Sequence, residues 1–304
     1  MFPATILGCS LVFHHPIDVP VFLQQMQDEK ISYTLAPPAL LNQLAKSEEL
    51  WRKYDFTHLR SVGSGSAPLS PWMIDIFDNK YQKPIVNYYG SNEGINFFAN
   101  KTSSTSAEDR AAVFSLTQSQ GLIQSKVVDH ETGQPVTTKG HKGELLIKGA
   151  SVFDGYLNTD NDEVFSDDGY FHTGDLVELC GDDALSCRIV GRCKDIINRG
   201  GMKISPAEID ILLESHPALV EAAVCAYPDE RLGEKVCAFV VVKENESIEL
   251  DGINSFLIDH GLAKFKLPER IETIDALPRN PLGKVQRFSL EQQLKEQQLT
   301  KPQH

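Results

Sequence analysis

The stretch Val190-Gly191-Arg192-Cys193-Lys194-Asp195-Ile196-Ile197-Asn198-Arg199-Gly200-Gly201-Met202-Lys203-Ile204-Ser205-Pro206-Ala207-Glu208-Ile209-Asp210 divides the chain. Arg192, Lys194, Asp195 and Arg199 make this segment too polar for a strand buried on both faces. Gly200-Gly201 lets the backbone come close to another body. Ser205-Pro206-Ala207-Glu208 reads as a capping box with proline at the first helical position. The serine hydroxyl can accept from the Glu208 amide, and the carboxylate can reach back to the Ser205 amide. A helix is therefore expected from Pro206, preceded by a joint that separates residues 1–193 from 194–304.

Downstream of the joint, Ile209, Leu212 and Leu213 mark the apolar face of a helix running to His216. Alternating Val220, Ala222, Val224 and Ala226 predict a strand, Val236 to Val242 a second and Arg270 to Ile274 a third, with a helix over Leu250 to His260 closed by Gly261. This is a small α+β domain. Before the final helix, Leu277-Pro278-Arg279-Asn280-Pro281-Leu282-Gly283-Lys284-Val285-Gln286-Arg287 carries Lys284 on a Pro/Gly-bounded loop.

Upstream, residues 1–100 alternate strand and helix patterns, as in an α/β parallel sheet. Phe2, Ile6 and Leu7 are spaced as a helix face, Ser10 to Phe13 predicts a short strand, and Val21 to Met26 a helix. Ile31 to Leu35 predicts a further strand, followed by a helix carrying Leu40, Leu41 and Leu44. Leu59-Arg60-Ser61-Val62 opens into the small-residue loop Gly63-Ser64-Gly65-Ser66-Ala67-Pro68 before a helix from Ser70, a pattern that can turn backbone amides toward a ligand. It matches neither a hydrolase elbow nor a Walker loop. Ile85-Val86-Asn87-Tyr88-Tyr89-Gly90-Ser91-Asn92-Glu93-Gly94 forms the next strand and loop. Residues 101–110 are expected to be a surface connection. Residues 101–193 then turn to short strands and turns: Leu122 to Val128, Asp129 to Gly133, Gly143 to Gly149 and Phe171 to Leu176, a small antiparallel or barrel-like subdomain.

Composition narrows the class. A length of 304 residues with 41% apolar and 23% charged residues suits about two globular domains. The formal charge of −13 argues against a nucleic-acid-binding surface. The 6 cysteines form no CxxC pair and sit in apolar or mixed runs, the pattern of buried free thiols in a reducing, cytoplasmic setting. No apolar run approaches the length of a membrane span.

Taken in order, Tyr89-Gly90-Ser91-Asn92-Glu93, Phe171-His172-Thr173-Gly174-Asp175-Leu176, the Val190–Asp210 stretch and Pro278-x-x-x-x-Gly283-Lys284 resemble the motifs of adenylate-forming enzymes. That AMP-dependent synthetase/ligase superfamily contains acyl-CoA synthetases, carrier-protein-loading adenylation domains and beetle luciferase. The resemblance implies a truncated large domain followed by a small mobile C-terminal domain. It also implies roles. The Gly65-Ser66-Ala67-Pro68 loop packs along adenine, the Tyr88-Tyr89-Gly90 strand end supplies the stacking tyrosine, and Asn92, in place of the usual threonine, meets the α-phosphate through its amide. Glu93 helps hold Mg²⁺, Asp175 accepts from the ribose hydroxyls, and His172 is structural. Lys284 is the catalytic lysine. Arg192, Lys194, Gly200 and Gly201 form the hinge region of the cofactor-binding set, where rotation about Lys194 swaps Lys284 out and brings the glycine pair toward the thiol.

The implied activity is that of an ATP-dependent acyl-CoA synthetase. A carboxylate and ATP give acyl-AMP and pyrophosphate, then coenzyme A gives the thioester and AMP. Phe97 and Phe98 suggest a fatty or other apolar acid, although core packing explains them equally. One alternative is an adenylation domain loading the phosphopantetheine of a carrier protein. Another is a non-catalytic nucleotide- or acyl-adenylate-binding fragment, or half of a split enzyme. No stretch matches the family's Ser/Thr/Gly-rich phosphate loop, so the chain is expected to correspond to the carboxyl-terminal part of a longer enzyme and to adenylate poorly without an N-terminal half.

Overall fold

The computed structural model describes residues 2–65, 67–118, 121–158, 161, 163–280 and 284–300. They fall into two units, 1–123 with 150–153, and 124–149 with 154–304.

The first unit contains α1 (Phe2–Ile6), α2 (Val19–Asp28), β1 (Tyr33–Leu35), α3 (Pro38–Lys46), α4 (Glu48–Arg52), β2 (Ser61–Gly65), α5 (Pro71–Asp75), β3 (Ile85–Gly90), β4 (Asn96–Ala99), α6 (Ala107–Ala112) and β5 (Val113–Ser115). A five-residue π-helical segment, Ile76–Lys80, continues α5. Asp18 caps α2 by accepting from the Val21 amide at 3.0 Å. The sheet order is β1-β2-β3-β4, parallel through β3 and antiparallel at β4. Helices cover the inner strands, which explains why β2 is buried through its middle. Leu23, Leu41, Leu44, Ile74 and Phe77 form the fully buried centre. Trp51 stacks on Tyr81 at 4.4 Å, and Phe77 meets it edge-on at 5.4 Å.

Two local expectations change here. Ser10 to Phe13 is irregular rather than a strand, with Leu11, Val12 and Phe13 exposed and without a sheet neighbour. The expected surface connection at 101–110 contains the start of α6, capped by Ser106, whose hydroxyl accepts from the Asp109 amide. Arg110 is buried there against the buried Asp78, a partner 32 residues away. The apolar face begun by α1 is open to solvent, with Ile6 84% and Leu7 76% exposed.

The second unit begins with β6 (Ile123–Val128), β7 (Lys142–Gly149), β8 (Phe171–Cys180) and β9 (Ser186–Arg192), in the order β9-β8-β7-β6. The expected barrel-like subdomain is thus an open sheet, antiparallel at β7–β8 and β8–β9, not a closed barrel. β8 alternates buried and half-buried residues along its length, the period of a strand with one covered face.

Beyond it, β10 (Ile197–Arg199), β11 (Met202–Ile204), α7 (Pro206–Leu213), β12 (Leu219–Asp229), β13 (Gly233–Val242), α8 (Leu250–Asp259), β14 (Arg270–Thr273) and α9 (Arg287–Thr300) follow. The sheet runs β11-β10-β13-β12, with β14 parallel to β13. Alternate residues of β13 serve two cores. Val236, Ala238 and Val240 pack with α7 and α8, while Cys237 and Phe239 pack with Leu290 and Leu294 of α9. Cys187, Cys225 and Cys237 are buried as expected, Cys180 and Cys193 are half-buried, and Cys9 is exposed.

The helix at Pro206 forms, but not by a capping box. Ser205 makes no side-chain cap bond; its hydroxyl donates to the Val190 carbonyl. Glu208 pairs with Lys266 at 2.6 Å. Proline at the first helical position is sufficient to start α7.

Candidate functional site

In the first unit, the loop expected at Gly63–Pro68 is largely strand, because Gly63, Ser64 and Gly65 are the last residues of β2. Gly65 stands opposite Tyr88 in the parallel register, and a Cβ there would overlap the Tyr88 carbonyl. Glycine at this position is required by close approach of β3. Ser66 lies outside the described residues, and Ala67 and Pro68 are exposed. The Tyr88 hydroxyl accepts from Tyr33 at 3.0 Å. Burial, with the Tyr88 contact, pushes the Tyr33 phenol well above its usual range. Tyr89 lies beside Phe97, 6.1 Å away and nearly parallel, so Phe97 is wholly committed to core packing while Phe98 is partly exposed on β4. Gly90 ends β3, Asn92 is exposed, and half-buried Glu93 sits in a turn closed by the Gly94 amide donating to the Ser91 carbonyl at 3.3 Å. The Glu93 carbonyl also accepts from the Phe153 amide at 3.0 Å.

In the second unit, the decisive local feature is a bulge. Leu146 pairs with His172 and Glu144 with Leu176, so Thr173, Gly174 and Asp175 of β8 face only Leu145 of β7. Gly174 takes φ +68, which the bulge requires. Glu144 holds this kink from beneath: its Oε1 accepts from the Gly174 amide at 2.9 Å and its Oε2 is 3.0 Å from His172 Nδ1. Thr173 donates to the Leu145 carbonyl at 2.6 Å and accepts from the Asp175 amide at 3.1 Å. The result is a buried Asp175 carboxylate directed at Arg192, whose Nη1 donates to it at 2.6 Å. Glu144 was read from sequence only as a strand residue. Its partner His172, expected to be structural, is indeed engaged in holding that carboxylate.

The residues expected to form a hinge lie close along the chain but differ in setting. Cys193–Asp195 is a 3₁₀ turn with Lys194 exposed. Burial, followed by the Glu144 and Asp175 carboxylates, pushes the Cys193 thiol up to about 12. Gly200 and Gly201 connect β10 to β11 where Arg199 pairs with Met202, with φ +58 and +85, so they form a tight hairpin turn. Their glycine character is set by that turn; a Cβ on Gly201 would meet nothing within 4 Å. Lys284 is exposed, its amide donating to Asn280 Oδ1 at 2.9 Å and its carbonyl accepting from the Asn280 amide at 2.9 Å. Pro281, Leu282 and Gly283 lie outside the described residues. Three residues on, Arg287 donates to Asp210 of α7 and to the Val224 carbonyl at 3.1 Å, and approaches Asp195 to 3.8 Å.

Residues 1–157 match the family described as AMP-binding enzyme, and residues 208–284 match its C-terminal domain. The chain belongs to the AMP-binding enzyme family. Among family relatives, a vibriobactin-specific 2,3-dihydroxybenzoate-AMP ligase of Vibrio cholerae is 34% identical over 271 residues, covering 87% of this chain and 48% of the relative. A 4-coumarate–CoA ligase-like 9 protein of Arabidopsis thaliana is 31% identical over 293 residues, 95% of this chain and 51% of the relative. ATP-bound MatB from Rhodopseudomonas palustris superposes with a TM-score of 0.80 at 29% identity, covering 96% of this chain and 56% of that one. The chain thus spans about half the length of the curated relatives it matches. No helix among the described residues is long and apolar enough to cross a membrane.

Proposed function

We propose that this chain serves an ATP-dependent ligase that activates a carboxylic acid as its acyl-adenylate and transfers the acyl group to coenzyme A. The observation that carries this reading is the Thr173–Asp175 bulge, which aims a buried, acceptor-only carboxylate away from a regular strand position. An acceptor-only group suits a vicinal diol, which offers two O–H donors, and the Arg192 side chain that meets it is 48% exposed. A relative named as an AMP ligase and another named as a CoA ligase support the adenylate and thioester halves respectively. Both names carry aromatic acids bearing phenolic hydroxyls.

In this reading Asp175 orients the ribose, and Tyr89, flat against Phe97, presents a face for adenine. Asn92 donates to a phosphate oxygen. The Glu93 carboxylate fits Mg²⁺, a hard cation that takes oxygen donors and supplies charge neutralisation at phosphate when bound. Lys284 stabilises negative charge growing at the α-phosphorus as the substrate carboxylate attacks. Neither step needs a covalent bond to the protein. Rotation about Lys194 then withdraws Lys284 before the thiol attacks.

Calorimetric titration with a non-hydrolysable acyl-adenylate analogue tests the reading. The chain should bind it, and Asp175→Ala should weaken binding about 10–100-fold, the scale of hydrogen bonds to a charged acceptor. Equal affinity in the variant refutes the ribose role. Carboxylate-dependent pyrophosphate exchange that proceeds without any coenzyme A-dependent thioester would move the activity to an alternative thiol such as carrier-protein phosphopantetheine.

A further inference from the structure

The bulge region contains a second constellation that the ligase chemistry does not use. His130 sits in the Asp129–Gly133 turn, Glu144 on β7, and Cys193 at the start of the 3₁₀ turn. One donor atom from each lies within 4.8 Å of the other two. His130 Nδ1 is already 3.5 Å from Glu144 Oε2. Ligand atoms at about 2.0–2.3 Å from a tetrahedral zinc ion stand about 3.3–3.7 Å apart, so one pair is at that spacing and the thiol needs only side-chain rotation. We infer that His130, Glu144 and Cys193 form a binding site for a thiophilic divalent cation of the zinc class, with a fourth position left to solvent.

Several features favour capture of the ion over mere proximity. The donor set mixes imidazole, carboxylate and thiol, the combination that zinc accepts and magnesium or calcium does not. Glu144 is buried and pre-oriented, its Oε1 held by the Gly174 amide and its Oε2 by His172, so His172 acts as the outer partner that fixes a ligand. His130 is exposed and supplies the route of entry. The nearby cations are compensated: Arg192 pairs with Asp175 at 2.6 Å, and Lys203 pairs with Glu131 at 2.6 Å. The Glu144 carboxylate attracts a divalent ion, and coordination through sulfur releases the thiol proton to solvent as the metal–sulfur bond forms.

Such an ion would fasten the Cys193–Asp195 turn to β7, immediately before Lys194. Restraint of the hinge rests on the ligase reading above; metal binding does not, and the test addresses binding alone. Cobalt(II) added to the purified chain should give one equivalent of a thiolate-to-metal charge-transfer band with tetrahedral d–d absorption, displaced by zinc. Cys193→Ala should abolish the band while Cys9→Ala keeps it. His130→Ala, at an exposed position that leaves the fold intact, should lower zinc affinity by about 100-fold or more, beyond the scale of losing an outer partner, and His172→Ala by about 10-fold or more. Absence of the band from the parent chain, its survival in Cys193→Ala, or unchanged zinc affinity in His130→Ala each overturns the site.

Discussion

Replacing Arg287 by methionine tests how the Lys284 loop is held to the rest of its domain. Arg287 contacts α7 through Asp210, β12 through the Val224 carbonyl and the 3₁₀ turn through Asp195. Asp210 is 9% exposed, and its Oδ1 accepts from the Val224 amide at 2.7 Å. Burial raises the Asp210 carboxyl to about 6 despite Arg287 and the Val224 amide, which pull it down. The folded-state value lies above the unfolded value, so folding takes up a proton. This group therefore costs nothing below about pH 4 and opposes folding progressively as pH rises through 6, by up to about 3 kcal/mol. Removing Arg287 withdraws the compensating charge and lifts the carboxyl further. The substitution should cost about 3–5 kcal/mol at pH 8, the scale for stranding one member of a buried pair. At pH 5, where Asp210 accepts a proton, the loss should be smaller by at least about 1 kcal/mol. Adding Asp210→Asn, whose side-chain carbonyl still accepts from the Val224 amide, should recover most of the pH 8 loss. Denaturant unfolding at both pH values, followed by far-UV dichroism, measures each quantity. Equal losses at pH 5 and pH 8 would refute the stranded-charge argument.

Two further substitutions address turnover in a chain joined to the N-terminal half expected from the sequence. Lys284→Ala should reduce adenylation by about 10²–10³-fold in pyrophosphate exchange, the scale of one preorganised charge-stabilising group, while thioester formation from supplied acyl-adenylate is nearly unchanged; an unaltered exchange rate returns Lys284 to an ordinary exposed lysine. Lys194→Pro fixes φ near −65° within the 3₁₀ turn and should slow the two half-reactions unequally; equal losses with the fold intact would count against a hinge there.

Much of this was legible from local chemistry. The α2, α3, β12, β13 and α8 patterns follow from apolar periodicity, and the Pro206 helix start needs only the fixed φ of proline. The motif around Asp175 is readable because its side chains are specific in kind. The contacts made by those same segments were less accessible. Ser205 had a plausible acceptor role three residues away and instead donates to Val190, 15 residues back, a choice made by how β9 passes the helix start. Gly200-Gly201 suggested close approach in general, whereas the pairing of β10 with β11 makes the pair a hairpin turn.

What the sequence alone determined is the helix and strand character of the strongly periodic segments, the family and the residue types of the candidate groups, because periodicity, proline, glycine and motif chemistry act within a few residues. Which partner each polar group takes was decided only by tertiary structure. Glu144 reaches across the bulge to Gly174 and His172, Asp78 finds Arg110, and Asp210 finds Arg287, at separations of 28 to 77 residues. A buried charge must be satisfied by whatever the packed chain brings within hydrogen-bond distance, and that neighbour is a property of the assembled sheet and helices, not of the adjoining sequence.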